Sequence, residues 1–521
     1  MKKNNSRTKN TIYNFISSIG GQFLTILMQF IVRTIFIQTL GKSYLGINGL
    51  FTNVLSMLSL AELGVGNAIL FKLYSPLSKS DKSRIKALMK FYKKIYIIIG
   101  IVVAILGLCL IPFLPLMIKN YDKLSSLGVN AILIYLLYLL QSVSSYLFFA
   151  YKSAIVKADQ KEYILNFISY CFTIGSSFLQ IILLKLFNSF ELYVIVLVLS
   201  TILQNIINAI VVNKLYPYIK EDSTETIDKK EIKEIFKDCG AIFLYKLNGV
   251  VLKATDNIII SMVLGLEAVG LYSNYYILYT TINTVFSKVF DSVAHSLGNL
   301  HTTKNYTHEY QIFKSVNLIA VILGATAGIG IFTISNEFIK LWLGNEWVMA
   351  QPFSLLMGIE IYTLANRQYL SKYRNAMGLF QQAKYRPLFG MVINLIVSII
   401  FVKYWGICGV LVGTIVADWT TIMWFDPMII HKYGFENKFS LWKFYLKNLL
   451  YLGITIILGT MVYLFVNNLL VEGGWISFII HLVFCGCIVP LIFILIYHKK
   501  DEFENLNLMK NKILKKLHLK H

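Results

Sequence analysis

The sequence predicts an all-α polytopic membrane protein with about fourteen transmembrane helices and both termini in the cytoplasm. Three observations carry this reading. Of the 521 residues, 15% are charged and 56% hydrophobic, whereas a soluble chain carries about 25% charged residues. Apolar runs of about 20 residues recur along the whole length, each enough to cross a ~30 Å hydrocarbon core. Lysine and arginine gather in every second segment between the runs and are sparse in the others, the bias that orients membrane helices.

Runs bounded by charge, Gly or Pro place helices at 12–38, 46–71, 95–118, 128–151, 163–184, 192–213, 238–262, 268–294, 317–339, 351–370, 387–403, 406–430, 444–467 and 475–498. The opening MKKNNSRTKN is basic, but the run after it lacks a small-residue cleavage site and is too long for a signal core, so it reads as the first membrane helix. The two termini and segments 72–94, 152–162, 214–237, 288–316, 366–387 and 431–447 hold most of the positive charge and are assigned to the cytoplasm. The opposite segments are short. The longest, ISNEFIKLWLGNEWVMAQP, carries Trp342 and Trp347 as expected interface anchors and has no room for an external enzyme domain.

A net charge of +22 taken alone would suit a nucleic-acid partner, but its confinement to short interhelical segments argues against one. Most of the six cysteines lie in apolar runs, and Cys485-Gly486-Cys487 lacks the further ligands of a metal motif. No cofactor is expected. The sequon Asn305-Tyr306-Thr307 falls in an expected inner segment, so no glycan is expected there. His295 and His481 are isolated and read as packed residues.

The mixed-charge stretch 214–237 divides the chain almost in half, and the second half repeats the first. LGKSYLGINGLF at 40–51 is echoed by LGLEAVGLYSNY at 264–275, an offset of 224. At that offset Gln22 aligns with Lys246, Gln29 with Lys253 and Arg33 with Asn257. Duplicated halves that face a midplane site are a recurrent transporter plan. Gln22, Thr25, Gln29 and Arg33 are spaced for one helical stripe, and so are Lys246, Gly249, Lys253 and Asn257, with Asp256 adjacent.

An ionisable side chain at mid-bilayer costs about 2.5–3.5 kcal/mol on insertion scales. The three cations Arg33, Lys246 and Lys253 are therefore expected to line one aqueous cavity that accepts a phosphate or pyrophosphate through charge-assisted hydrogen bonds. The alternatives are snorkelling for Lys246 and Arg33 and a structural pair with Asp256 for Lys253. Glu62, Asp291, Glu360, Asp418 and Asp426 also fall in or near helices. Asp256, Glu360 and Asp418 are the candidates for proton or sodium coupling, and pairing with a cation on a neighbouring helix is the alternative.

The segments 14–77, 90–96 (KFYKKIY) and 255–278 (TDNIIISMVLGLEAVGLYSNYYIL) give the chain its resemblance, over essentially its full length, to the Wzx-type polysaccharide flippases of the multidrug/oligosaccharidyl-lipid/polysaccharide exporter superfamily. The resemblance implies two pseudo-symmetric six-helix lobes in a V, with an N-lobe at 1–213, a linker at 214–237, a C-lobe at 238–430 and a final helix pair with a basic tail at 431–521. It also implies an undecaprenyl-pyrophosphate-linked oligosaccharide as cargo, for capsule, O-antigen or a similar polymer, moved by alternating access. Cationic cavity residues on helices one and seven are common in that family, and the matching positions here are Arg33, Lys246 and Lys253. Gln22, Gln29 and Asn257 join them as expected substrate contacts. The expected partners are membrane lipids and polysaccharide polymerase and assembly proteins. A drug exporter would favour an acidic cavity, and a polymerase would show a larger external loop. A lipid II flippase is not separated from this reading by sequence.

Overall fold

A computed structural model describes residues 2–58, 65–122, 124, 128, 130–221, 225, 227–228, 230–233, 255–301, 305–379, 381–468 and 474–504. Among the described residues there are helices and no strand. Those of eight residues or more are α1 Lys2–Leu40, α2 Lys42–Leu58, α3 Val65–Lys79, α4 Lys82–Leu110, α5 Ala131–Leu147, α6 Glu162–Phe187, α7 Phe190–Leu215, α8 at 255–263, α9 Leu266–His301, α10 Tyr306–Leu343, α11 Gln351–Ala376, α12 Arg386–Trp405, α13 Ile407–Thr420, α14 Ile422–Ile429, α15 Leu441–Asn468 and α16 Trp475–Tyr497. Among the described residues, nine helical segments are long and apolar enough to cross a membrane. A tenth is the pair Ala131–Leu147 and Ala150–Ala158, bent by 43°. The chain is a multi-pass membrane protein.

Local chemistry sets several helix starts. Asp81, Asn130 and Ser189 each accept a hydrogen bond from the backbone N–H three residues on, at 3.0, 3.0 and 3.2 Å, which satisfies donors that a first turn leaves open. Asn305, read in sequence as part of a sequon, caps α10 in the same way through His308 N–H at 3.2 Å. The expected helix at 406–430 is broken into α13 and α14 at Thr421. There Thr420 and Thr421 turn their hydroxyls back onto the carbonyls of Val416 and Ala417, a competition with the backbone ladder that bends helices.

The chain divides into two compact units, Met1–Gly270 and Leu271–His521. In the first unit α1 packs on α6, α6 on α7, α7 and α4 on α5, and α3 on α4. The core gathers Ile69, Leu73, Ile85, Leu88, Tyr92 and Val212. A Cβ on Gly46 would stand 2.0 Å from the carbonyl oxygen of Leu266, and one on Gly270 would stand 2.5 Å from that of Lys42. Two glycines thus let α2 and the first turn of α9 touch backbone to backbone. Lys119 ties α8 to the unit through its N–H to Ser261 O, 3.2 Å, and its Nζ to Val263 O, 2.7 Å.

In the second unit α10 lies along α11, α15 and α16, while α12 and α13 form a tight hairpin. Gly328 of α10 and Gly358 of α11 meet so closely that a Cβ on either would lie 2.6 Å from the other's carbonyl oxygen. Around them Leu318, Val321 and Ile329 of α10 meet Leu458 and Val462 of α15 and Val489 and Phe493 of α16. Trp347, expected as an interface anchor, is only 3% exposed and serves packing. His481 is packed as expected, and its Nδ1 lies 2.6 Å from Glu337. Beyond α16, Glu502 engages Lys447 and, at 3.6 Å, Lys314. Burial alone would raise this carboxyl, but the Lys447 hydrogen bond and both ammonium charges outweigh it and hold it below the ordinary glutamate value.

Candidate functional site

In the first unit the expected polar stripe lies on α1. Gln22 and Arg33 are half-buried and Gln29 is exposed. Arg33 lies within charge range of Tyr193 on α7. One turn on, the Phe36 ring meets Tyr193 at 4.9 Å and Phe190 at 5.6 Å. Arg33 and Phe36, one turn apart on α1, thus share Tyr193 as a neighbour, the first by charge and the second by ring contact. On α8 Asp256 and Asn257 are 7% and 3% exposed. Asn257 Oδ1 finds no hydrogen-bond partner among the described residues, and a buried acceptor left in that state is costly. Lys246, Lys253 and Glu62 lie outside the described residues.

In the second unit a polar ladder runs along α11. Glu360 is 7% exposed and lies within charge range of Arg367 and Tyr279. One turn on, Thr363 accepts a hydrogen bond from the indole N–H of Trp419 at 2.9 Å. Arg367 then reaches Asp418 of α13 at 2.6 Å and the hydroxyl of Tyr279 on α9 at 2.8 Å. Gln368 donates to Asn283 of α9 at 2.8 Å, and Lys372 pairs with Asp291 of the same helix. At the foot of the ladder Arg374 meets Asp426 of α14 at 2.8 Å, and Arg386 at the start of α12 meets the other oxygen of that carboxylate. Arg374 and Asp426 have no exposed side-chain surface.

Of the expected coupling residues, Glu360 and Asp418 thus belong to one cluster, and Asp418 is ion-paired. Asp256 belongs to the first unit. Arg367, Lys372 and Arg374 lie in 366–387, whose positive charge predicts a cytoplasmic segment rather than a site. The structure carries α11 to Ala376 and satisfies those cations with acids on α9, α13 and α14. A signal was present: Glu360, Arg367 and Arg374 are spaced by seven, one stripe of a helix. Asp418 and Asp426, eight apart, are their complement on the run 406–430.

A family described as "Polysaccharide biosynthesis protein" matches residues 11–294, more than half of the chain. The chain belongs to the polysaccharide biosynthesis protein family. No curated protein matches it. Among solved structures, this family member is similar to the lipid II flippase MurJ in an inward closed conformation, with a TM-score of 0.66 and 14% identity over 93% of this chain and 99% of that one. It is also similar to an inward-facing multidrug resistance MATE family transporter of the MOP superfamily, with a TM-score of 0.56 and 15% identity over 78% of this chain and 94% of that one. The Vibrio cholerae MATE transporter VcmN matches with a TM-score of 0.52 and 16% identity over 82% and 98%. At these identities the likeness is one of fold. The family member has the fold of the MOP superfamily transporters.

Proposed function

We propose that this protein flips an undecaprenyl-pyrophosphate-linked oligosaccharide from the inner to the outer leaflet of the cytoplasmic membrane, supplying a surface polysaccharide such as capsule or O-antigen. The observation that carries the proposal is family membership over 11–294 on a transporter fold. Transport here is a change of exposure by alternating access, not a covalent reaction. The diphosphate head meets Arg33, Lys246 and Lys253, whose charges bond phosphate oxygens. Gln22, Gln29 and Asn257 offer amide groups to sugar hydroxyls, and the polyprenyl tail stays in lipid. Such a carrier moves an equilibrium only by its differential affinity for two states, so the cations must hold the head without trapping it. The 2.6 Å contact between Asp418 and Arg367 favours a structural pair at this carboxylate over ion coupling, which leaves Asp256 and Glu360 as the coupling candidates.

The test is lipid analysis of cells depleted of the protein. An undecaprenyl-diphosphate-linked oligosaccharide should accumulate, and Lys253→Ala should abolish surface polymer at unchanged protein abundance. The fold likeness to MurJ favours lipid II flipping as the second reading. Accumulation of lipid II alone would replace the first reading with the second, and accumulation of neither would reject both.

A further inference from the structure

We propose that Lys152, with Lys93 and Lys220, forms a phosphate-binding site at one end of the first unit. The chain bends sharply after α5: Phe149 sits in the left-handed region at φ 59°, and the next three residues make a tight helical turn, Ala150–Lys152. This bend turns Lys152 inward, so that the residue is only 9% exposed. Its Nζ donates to Asn213 Oδ1 of α7 at 2.9 Å and lies 4.9 Å from the centroid of the Phe149 ring. Neither partner carries a negative charge. Lys93 of α4 and Lys220, from the turn Pro217–Lys220, lie close enough to repel it.

Among the described residues, three carboxylates near this end serve other cations. Glu221 takes Lys86 at 3.2 Å, Glu231 takes Arg84, and Asp159 takes Lys161 at 2.7 Å and the Tyr216 hydroxyl at 2.7 Å. Among the described residues, Lys93, Lys152 and Lys220 have no carboxylate within ion-pair distance. A buried ammonium held by one amide and one ring, with two like charges facing it, stands in an unfavourable field that an anion relieves. Lysine ammonium groups are compact point charges that bind phosphate oxygens through charge-assisted hydrogen bonds. The site lies where helices of the membrane bundle end, and Leu147 and Phe149 beside it are 39% and 43% exposed. A phosphate carried on a lipid would find an apolar wall there for its chains. The ligand chemistry is a phosphate monoester or diphosphate, from a lipid headgroup or from solution. The inference rests on this end of the first unit alone and is independent of the flipping proposal.

The test uses the full chain in phosphatidylcholine nanodiscs, with thermal unfolding followed by tryptophan fluorescence. One arm adds phosphatidic acid to the bilayer and the other adds inorganic pyrophosphate to the buffer. Stabilisation by phosphatidic acid alone identifies a headgroup site, and stabilisation by pyrophosphate identifies a site open to soluble anions. Lys152→Gln, and separately Lys93→Gln with Lys220→Gln, should each shift the midpoint of the titration to higher ligand concentration, by about fivefold per lysine. Lys93 and Lys220 are exposed, so the double variant decides the matter should Lys152→Gln fail to fold. No stabilisation by either probe, or an unshifted titration in either folded variant, overturns the proposal.

Discussion

Asp426, fully buried between Arg374 and Arg386, is a single carboxylate balancing two guanidinium groups, with the Ser371 hydroxyl 3.5 Å away. Removing one member of a buried ion pair costs about 3–5 kcal/mol, because the partner is left charged and unmatched. Asp426→Ala removes the ion-pairing carboxylate from two guanidinium groups at once. Asp418→Ala strands only Arg367, whose side chain keeps 22% exposure and the Tyr279 hydroxyl. The expected order of destabilisation is therefore Asp426→Ala well above Asp418→Ala, read from thermal unfolding of purified protein in a mild detergent. Replacing both Arg367 with Met and Asp418 with Leu should cost less than either single change, because the desolvation burden disappears with the pair. An equal loss for the two alanine variants would break the argument. The sequence showed these acids as buried charges, but their partners were hidden. A cation-rich stretch looks like a loop when the acids that neutralise it lie 40–81 residues away in the chain.

At the scale of helices, the apolar runs were legible wherever lipid sets the composition. Expected spans at 163–184, 192–213 and 475–498 correspond to α6, α7 and α16 almost end for end. The runs that differ are those whose surroundings are protein. α11 extends beyond its expected end because its last turns are paired with neighbours, and α13 stops early because two threonines compete for its carbonyls. Close crossings were not legible either, since a glycine at a contact and a glycine facing open space look alike in sequence. Gly328 and Gly330 of α10 separate the two cases. A Cβ at Gly328 meets the Gly358 carbonyl oxygen at 2.6 Å, and one at Gly330 meets nothing within 4 Å. The blocking atom is backbone and cannot rotate away, so Gly328→Ala must push α10 off α11, at a cost of about 1–3 kcal/mol. Gly330→Ala should be neutral or stabilising by up to about 1 kcal/mol, since alanine is the better helix former. Unfolding midpoints of the two variants side by side decide this, and similar losses for both would mean that α10 and α11 do not cross at Gly328.

For the whole chain, what composition conveyed was the membrane class, and what it obscured was the path of the polar helices. α9 and α11 do not number among the segments apolar enough to span a bilayer, yet their polar groups face one another: Tyr279, Asn283 and Asp291 on α9 meet Arg367, Gln368 and Lys372 on α11. A helix whose polar side is matched inside protein needs no lipid-compatible average. We therefore propose that both cross the membrane, which keeps the alternation expected from the lysine and arginine distribution. That alternation can be tested with single cysteines at exposed positions in a chain otherwise free of cysteine. Lys79, Lys157 and Lys384 lie on the sides assigned to the cytoplasm, while Asp122, Phe187 and Glu346 lie on the opposite ones, and all six are exposed. A membrane-impermeant maleimide added to intact cells should label the second three and reach the first three only after permeabilisation. The decisive pair is Glu346 and Lys384, which flank α11. Labelling of both from the outside would mean that α11 does not cross, and the charge ladder along it would then lie at a surface instead of inside the bundle.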